Sequence, residues 1–436
     1  MLDTIKDIIQ YISQYHESLV VSFILAILAG LTAVKTIPRL KQPFLNAKLS
    51  GIDILKPNKP ILPETLGLPI AIIYLITMFL FIPVPFIDWF GGKFFFSVVH
   101  DEAPHLGTFP YHKLGEILSA ILAIQSMVLL GFADDVLDVR WRYKVWFPAI
   151  AGIPLLIFYY TNFGVTYVVT PIQLRPWFGD MIHLGPLYYV YMLSLIIFCT
   201  HSINILAGIN GIEAGQTLVI SLSIIINDLL YIYKNPDQRS VEVHLFSLYF
   251  MLPFTGVTLA LLYYNWYPAK VFVGDTFCYF AGMTIAVVGI LGHFPKTLVL
   301  FFIPQMFNFL YSCPQLFRFV ECPRHRMPRV LVDNKNDQSK VLLHCSVVTL
   351  NQERKPTGKL GRAMLEFLNV LGLLHVISRD DHGRISQCNN LTLLNLVLSY
   401  TGPIPENRLT CTVLLIQILC SLLAFYIRYS LVKFVY

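Results

Sequence analysis

The sequence predicts an all-α polytopic membrane protein of about ten transmembrane helices, with a small α/β insert between helices 9 and 10. Three observations carry this. Hydrophobic residues make up 56% of 436 residues and charged residues only 13%, about half the share of a soluble protein. Mean hydropathy is +0.62. The apolar residues gather into runs of about 20, the length that crosses roughly 30 Å of hydrocarbon. The same composition excludes a disordered, collagen-like or coiled-coil chain. A net charge of +6 is mild, and no long basic run or Cys/His zinc spacing points to nucleic acid.

Taken in order, the candidate spans cover about 18–37, 66–87, 114–132, 145–161, 186–203, 214–233, 244–264, 274–292, 297–317 and 409–431. The first is expected to be a retained helix: residues 1–17 set Lys6 against Asp3, Asp7 and Glu17, without the basic start of a signal peptide. The chain therefore divides into residues 1–317 with spans 1–9, an insert at 318–408, and 409–436 with span 10. Within the insert, 330–332 and 341–350 flank a turn-rich stretch and predict a β-hairpin. Residues 362–377 predict an amphipathic helix, and 391–400 another with Asn390 as its N-cap. Asn390-Leu391-Thr392 matches a glycosylation sequon, read here as chance in a cytosolic loop. Eight cysteines without a CxxC pair predict neither a disulfide framework nor a zinc site. Arg39, Lys41, Lys48, Lys56 and Lys59 after span 1, and Arg140, Arg142 and Lys144 after span 3, outweigh Lys93, Lys113 and Arg175 after spans 2 and 4. Loops after odd-numbered spans are therefore expected in the cytosol and both termini on the other side.

Polar residues at membrane depth are costly and usually functional. Here they cluster at one set of span ends. Span 3 ends in Gly131-Phe132-Ala133-Asp134-Asp135, followed by Lys144. Span 5 ends in His201-Ser202-Ile203-Asn204 and continues to Gly208-Ile209-Asn210-Gly211. Span 8 begins at Phe272-Val273-Gly274-Asp275, and span 9 opens into Pro323-Arg324-His325-Arg326. Singly, each has a plainer reading as a helix cap, a turn or a positive-inside anchor. Jointly they resemble a pyrophosphate site. Asp134, Asp135, Asp275 and Asn204 are hard oxygen ligands suited to Mg²⁺ or Mn²⁺. Lys144, Arg324 and Arg326 are phosphate partners, and Gly208, Gly211 and Gly274 admit close backbone approach.

Gly131–Asp135, Asn204-Ile205-Leu206-Ala207-Gly208-Ile209-Asn210-Gly211 and Val273-Gly274-Asp275 resemble the polyprenyl-phosphate N-acetylhexosamine-1-phosphate transferase family. Pro323-Arg324-His325-Arg326, in place of a His-rich bacterial motif, resembles its eukaryotic branch. The resemblance implies transfer of GlcNAc-1-phosphate from UDP-GlcNAc to dolichyl phosphate, giving GlcNAc-diphosphodolichol and UMP. That would be the first step of dolichol-linked oligosaccharide synthesis, on the cytosolic face of the endoplasmic reticulum. It further implies Mg²⁺ as cofactor, inhibition by tunicamycin, a homodimer, and no nucleic-acid partner. By the family pattern, Asp134, Asp135, Lys144, Asn204 and Asp275 would be catalytic, with Asn204 and Asp275 holding Mg²⁺. Ile52, Asp53, Ile54, Glu64, Gly208, Asn210, Phe272, Arg324, His325 and Arg326 would bind UDP-GlcNAc. Lys144 and the segment Ile197, Phe198, Cys199, Thr200, His201, Ser202, Ile203, Asn204 and Ile205 would face dolichyl phosphate.

A phosphate monoester has a second pKa near 6 and is mostly a dianion at neutral pH. Direct attack on the β-phosphorus is therefore expected without a strong base, with Asp135 orienting Lys144 or the metal's waters and Asp134 supporting it. The rival is an aspartate nucleophile and a phospho-enzyme. Among other functions, a transporter or channel would also fit ten spans, but would place its charges near mid-bilayer. A bacterial-type transferase using undecaprenyl phosphate is the alternative within the enzyme class.

Overall fold

The computed structural model describes residues 2–90, 109–137, 139–234, 238–323, 326–332, 341–350 and 358–432. Helix α1 (Leu2–Asn46) is followed by the antiparallel pair β1 (Ser50–Ile52) and β2 (Ile61–Pro63), then α2 (Gly67–Phe81) and α3 (Tyr111–Leu137). The fourth span is a series of short pieces, α4 (Trp141–Lys144), α5 (Phe147–Ala151) and α6 (Ile153–Asn162). Next come β3 (Tyr167–Val169), α7 (Arg175–Phe178) and β4 (Met181–His183). The bundle continues with α8 (Pro186–Ile205), α9 (Ile212–Lys234), α10 (Gln238–Asn265) and α11 (Gly274–Leu291).

The ninth predicted span is broken. Helices α12 (Pro295–Phe301) and α13 (Ile303–Leu316) meet at 69°, so the described residues hold 9 continuous spans, or 10 with this bent pair. Pro304 stands in the first turn of α13, where its missing N–H is tolerated but continuation of α12 is not.

The insert is a small α/β unit. β5 (Arg329–Val332) pairs with β6 (Val341–His344) as the predicted hairpin. The second predicted strand does not continue to residue 350: β7 (Val347–Thr349) leaves for another sheet, in which β9 (Ile385–Asn389) lies between it and β8 (Val376–Arg379). The amphipathic helix, α14 (Lys359–Val370), stops short of the expected 377. Gly372 turns the chain at a φ of 72° and the following residues enter β8. Helix α15 (Leu393–Thr401) is capped by Thr392, whose hydroxyl accepts the Asn395 N–H, not by Asn390. Asn390 is 1% exposed and its amide is bonded to Ser346 and Gln315, so the sequon is closed to modification. Helix α16 (Glu406–Tyr426) returns through the membrane.

At the centre of the bundle stands α11, with 89% of its apolar window buried. It packs on α3, α8 and α2. Small residues let transmembrane backbones approach closely. Gly282 does so against α8, where an added Cβ would lie 2.3 Å from the Thr200 Cα. Overpacking by Gly282→Ala should cost about 1–3 kcal/mol of stability, seen as a lower melting temperature in detergent. Ser194→Ala, on the exposed face of α8, should leave it unchanged.

Candidate active site

Three helix ends meet at one end of the bundle. The C-terminus of α3 brings Asp134 and Asp135, the C-terminus of α8 brings Asn204, and the N-terminus of α11 brings Asp275. Gly274, at a φ of 75°, makes the turn into α11 so tightly that a Cβ there would sit 2.7 Å from the Thr65 Cα and 2.8 Å from the Asp135 carboxylate.

The adjacent aspartates divide their work differently from the expectation. Asp135 does not reach Lys144. Its carboxylate accepts the Asp275 N–H at 2.8 Å and the Thr276 N–H at 3.1 Å, and the Thr276 hydroxyl as well. A side chain of α3 thus caps α11, supplying an anion to the positive end of that helix. Asp134 is the residue that orients Lys144, at 3.0 Å, while Tyr279 donates to the same oxygen at 2.9 Å. Lys144 also lies 3.2 Å from Asp275, whose other oxygen accepts the Asn204 amide at 2.9 Å. Both Asp134 and Asp135 are thereby bonded within the protein. Asp275, with 31% of its side chain exposed, is the carboxylate that faces the adjoining cleft.

That cleft is a cavity of about 190 Å³ lined by Ile52, Asp53, Ile54, Glu64, Asn204, Gly208, Asn210, Phe272 and Asp275. These sequence-predicted residues are brought together as expected. Backbone pairing explains it: the Phe272 N–H donates to Pro63 and the Gly67 N–H to Val273, which lays β2 beside the entry to α11. Burial, and the Asp135 and Asp275 carboxylates, raise the pKa of Glu64. The lining also includes Glu213, which accepts the Gly208 N–H at 3.2 Å. Four carboxylates and no basic side chain among the described lining residues make this a poor receptacle for an anion unless a cation comes with it.

The donors fit a hard divalent cation. Asn204 spends its NH₂ on Asp275, and its carbonyl oxygen takes no other hydrogen bond among the described residues. No three His, Cys, Asp or Glu side chains among the described residues form a cage on their own. One or two protein oxygens completed by phosphates and water is the usual coordination of Mg²⁺.

Other expectations need correction. Cys199, Thr200, His201, Ser202 and Ile203 are buried in the bundle against α11 and its neighbours, where they pack rather than line an open surface. Of the predicted acceptor segment, Ile197, Phe198, Asn204 and Ile205 remain half-buried. Arg324 and His325 lie outside the described residues. Arg326 is half-buried, with its carbonyl held by the Asn395 amide at 2.7 Å, and burial lowers its pKa. The neighbouring Met327 reaches the Gly208 turn and lines the cleft.

Sequence reasoning also missed the clamp on Asn210. Its N–H donates to Glu406 at 2.7 Å, its carbonyl accepts the Thr410 hydroxyl at 3.0 Å, and its amide donates to Asp53 at 3.2 Å. Lys56 pairs with Glu406 and lies 4.4 Å from the centre of the Tyr267 ring. Buried charges are rarely unpaired, so Glu406 at the start of an apolar span was the available signal.

The model of glycosyl transferase family 4 matches residues 117–293. A UDP-N-acetylglucosamine–dolichyl-phosphate N-acetylglucosaminephosphotransferase of Schizosaccharomyces pombe is 44% identical over 424 residues, covering 94% of this chain and 92% of that one. A protein of the same name from Saccharomyces cerevisiae is 46% identical, covering 91% and 88%. A phospho-N-acetylmuramoyl-pentapeptide-transferase of Thermoanaerobacter is 28% identical, covering 41% and 54%.

Removing the Asp135 carboxylate should leave two peptide N–H groups of α11 without their partner, at about 1–3 kcal/mol each. Asp135→Ala should therefore melt well below wild type, with Asp135→Asn, which keeps one acceptor, between them. Equal melting of all three would contradict the capping role.

Proposed function

The chain belongs to the UDP-N-acetylglucosamine–dolichyl-phosphate N-acetylglucosaminephosphotransferase family, and we propose that it transfers GlcNAc-1-phosphate from UDP-GlcNAc to dolichyl phosphate, releasing UMP. The observation that carries this is the meeting of Asp275, Asn204 and Lys144, at the ends of three membrane-spanning segments, beside an acidic cleft. Such a place suits one lipid-borne and one soluble substrate. The loop-charge asymmetry supports a cytosolic position for this end, and the proposed reaction supports the endoplasmic reticulum membrane as its location.

Phosphoryl transfer asks mainly for alignment and charge neutralisation. Asp53, Asn210 and Phe272 would receive the nucleotide end of the donor and Asp275 with Asn204 its diphosphate, which they would hold together with Mg²⁺. Bound there, Mg²⁺ supplies charge neutralisation and polarises the phosphoryl oxygens. Lys144, held by Asp134, is placed to receive the acceptor's phosphate and to bring it toward the donor despite their like charge. Asp134 is 3% exposed and is held by Lys144, Tyr279 and the Val139 N–H, and Asp135 is committed to the end of α11, so neither is poised for attack on phosphorus, which supports direct displacement by the acceptor phosphate. Tethering both substrates in one cleft also lowers the entropic part of the barrier.

Purified protein in detergent should release UMP from UDP-GlcNAc only when dolichyl phosphate is present. Chelation should stop turnover, and added Mg²⁺ should restore it. Asp275→Ala should abolish activity at any practical Mg²⁺ concentration, and Lys144→Met should lower kcat by about 10²-fold or more. Wild-type-like turnover by Asp275→Ala would overturn its assigned role. The clamp on Asn210 makes a separate prediction. Glu406→Ala should raise KM for UDP-GlcNAc about tenfold, the loss of one charge-assisted hydrogen bond, with the KM for dolichyl phosphate unchanged.

A further inference from the structure

Helix α14 carries two apolar faces. One holds Gly361, Leu365 and Leu368 and packs into the core of the insert. The other presents Leu360, Phe367, Val370 and Leu371 at 54%, 62%, 82% and 53% exposure. Their positions are spaced by helical turns, so they form one stripe along the outside of the helix. An unbroken apolar stripe of this kind marks a contact surface.

Its position says what covers it. The buried face of α14 shares a hydrophobic cluster with Phe307 and Tyr311, and both lie in α13, the second half of the broken ninth span. The Tyr311 hydroxyl donates to the Leu373 carbonyl at 2.6 Å, which ties the C-terminal end of α14 to that span. Leu310, next to Tyr311, and Phe317, just after α13, are each 63% exposed, so the span that holds α14 carries exposed apolar surface of its own.

We propose that α14 is an interfacial helix: Phe367, Val370 and Leu371 enter the acyl region of the same leaflet that α13 occupies, and set the insert at a fixed height on the membrane. A helix that lies in the interface buries its apolar face at the boundary of headgroups and chains. The insert in turn holds the carbonyl of Arg326 through Asn395. Anchoring α14 thus keeps that arginine's segment level with the lipid headgroups, where a phosphate on a lipid tail would be presented.

The test uses the full-length protein in phosphatidylcholine nanodiscs. Cys322→Ser and Cys411→Ser remove the exposed native thiols. A fluorophore is then attached at Val370→Cys or, as the comparison, at Asp381→Cys in the exposed turn between β8 and β9. Lipids carrying a nitroxide on the acyl chain should quench the label at 370 several-fold more than that at 381, and aqueous iodide should quench it several-fold less. Equal iodide quenching at the two positions would overturn the proposal. So would a label at 370 shielded from both quenchers, which would put a second copy of the chain on this face. Neither readout involves turnover, so the outcome is independent of the reaction assigned above.

Discussion

Asp135 reaches from α3 to the first peptide N–H groups of α11, and the rest of the cleft depends on that contact. The first N–H groups of a helix have no partner within it and must find one elsewhere. The carboxylate meets that need and sets the distance between two spans. Asp275 then stands at the mouth of α11, within reach of Lys144 from α4 and Asn204 from α8. Gly274 and Gly282 let the neighbouring backbones come close enough for these bonds to form. The contact that caps the helix therefore also fixes where Asp275 stands in the cleft.

The same geometry sets the electrostatics. Lys144 lies between Asp134 and Asp275, which compensate an ammonium that would be costly if buried alone. The cleft beside it is lined by acids, which disfavours a bare anion. The Asn210 side of the cleft is held more rigidly, because Asn210 is fixed through backbone and side chain by α16 and the loop after β1. Under the proposed reaction, that rigidity would serve the placement of the donor.

Most of the fold was legible because apolar runs of span length have few alternatives in water or lipid. Of the site, the convergence of Asp134, Asp135, Asn204 and Asp275 was legible from their shared position at span ends. The division of labour between Asp134 and Asp135 was not, since it depends on which carboxylate faces the end of α11. The break between α12 and α13 was signalled by Pro304, but hydropathy alone ran across it. Burial of Cys199, Thr200 and Ser202 follows from the close approach at Gly282, a contact between distant segments that no local pattern reports. Glu406 and Lys56 were missed for the same reason: their meaning lies in a partner 350 residues away in sequence. The strands β8 and β9 are short and polar enough to pass for loop.

The central claim is that this site aligns two substrates for one displacement, with Asp275 holding the donor's cation and not attacking phosphorus. The most direct measurement is the stereochemical course at a chirally labelled β-phosphorus of UDP-GlcNAc. A single in-line displacement predicts net inversion in the GlcNAc-diphosphodolichol product. Net retention would require two displacements and a phospho-enzyme, and would contradict the account.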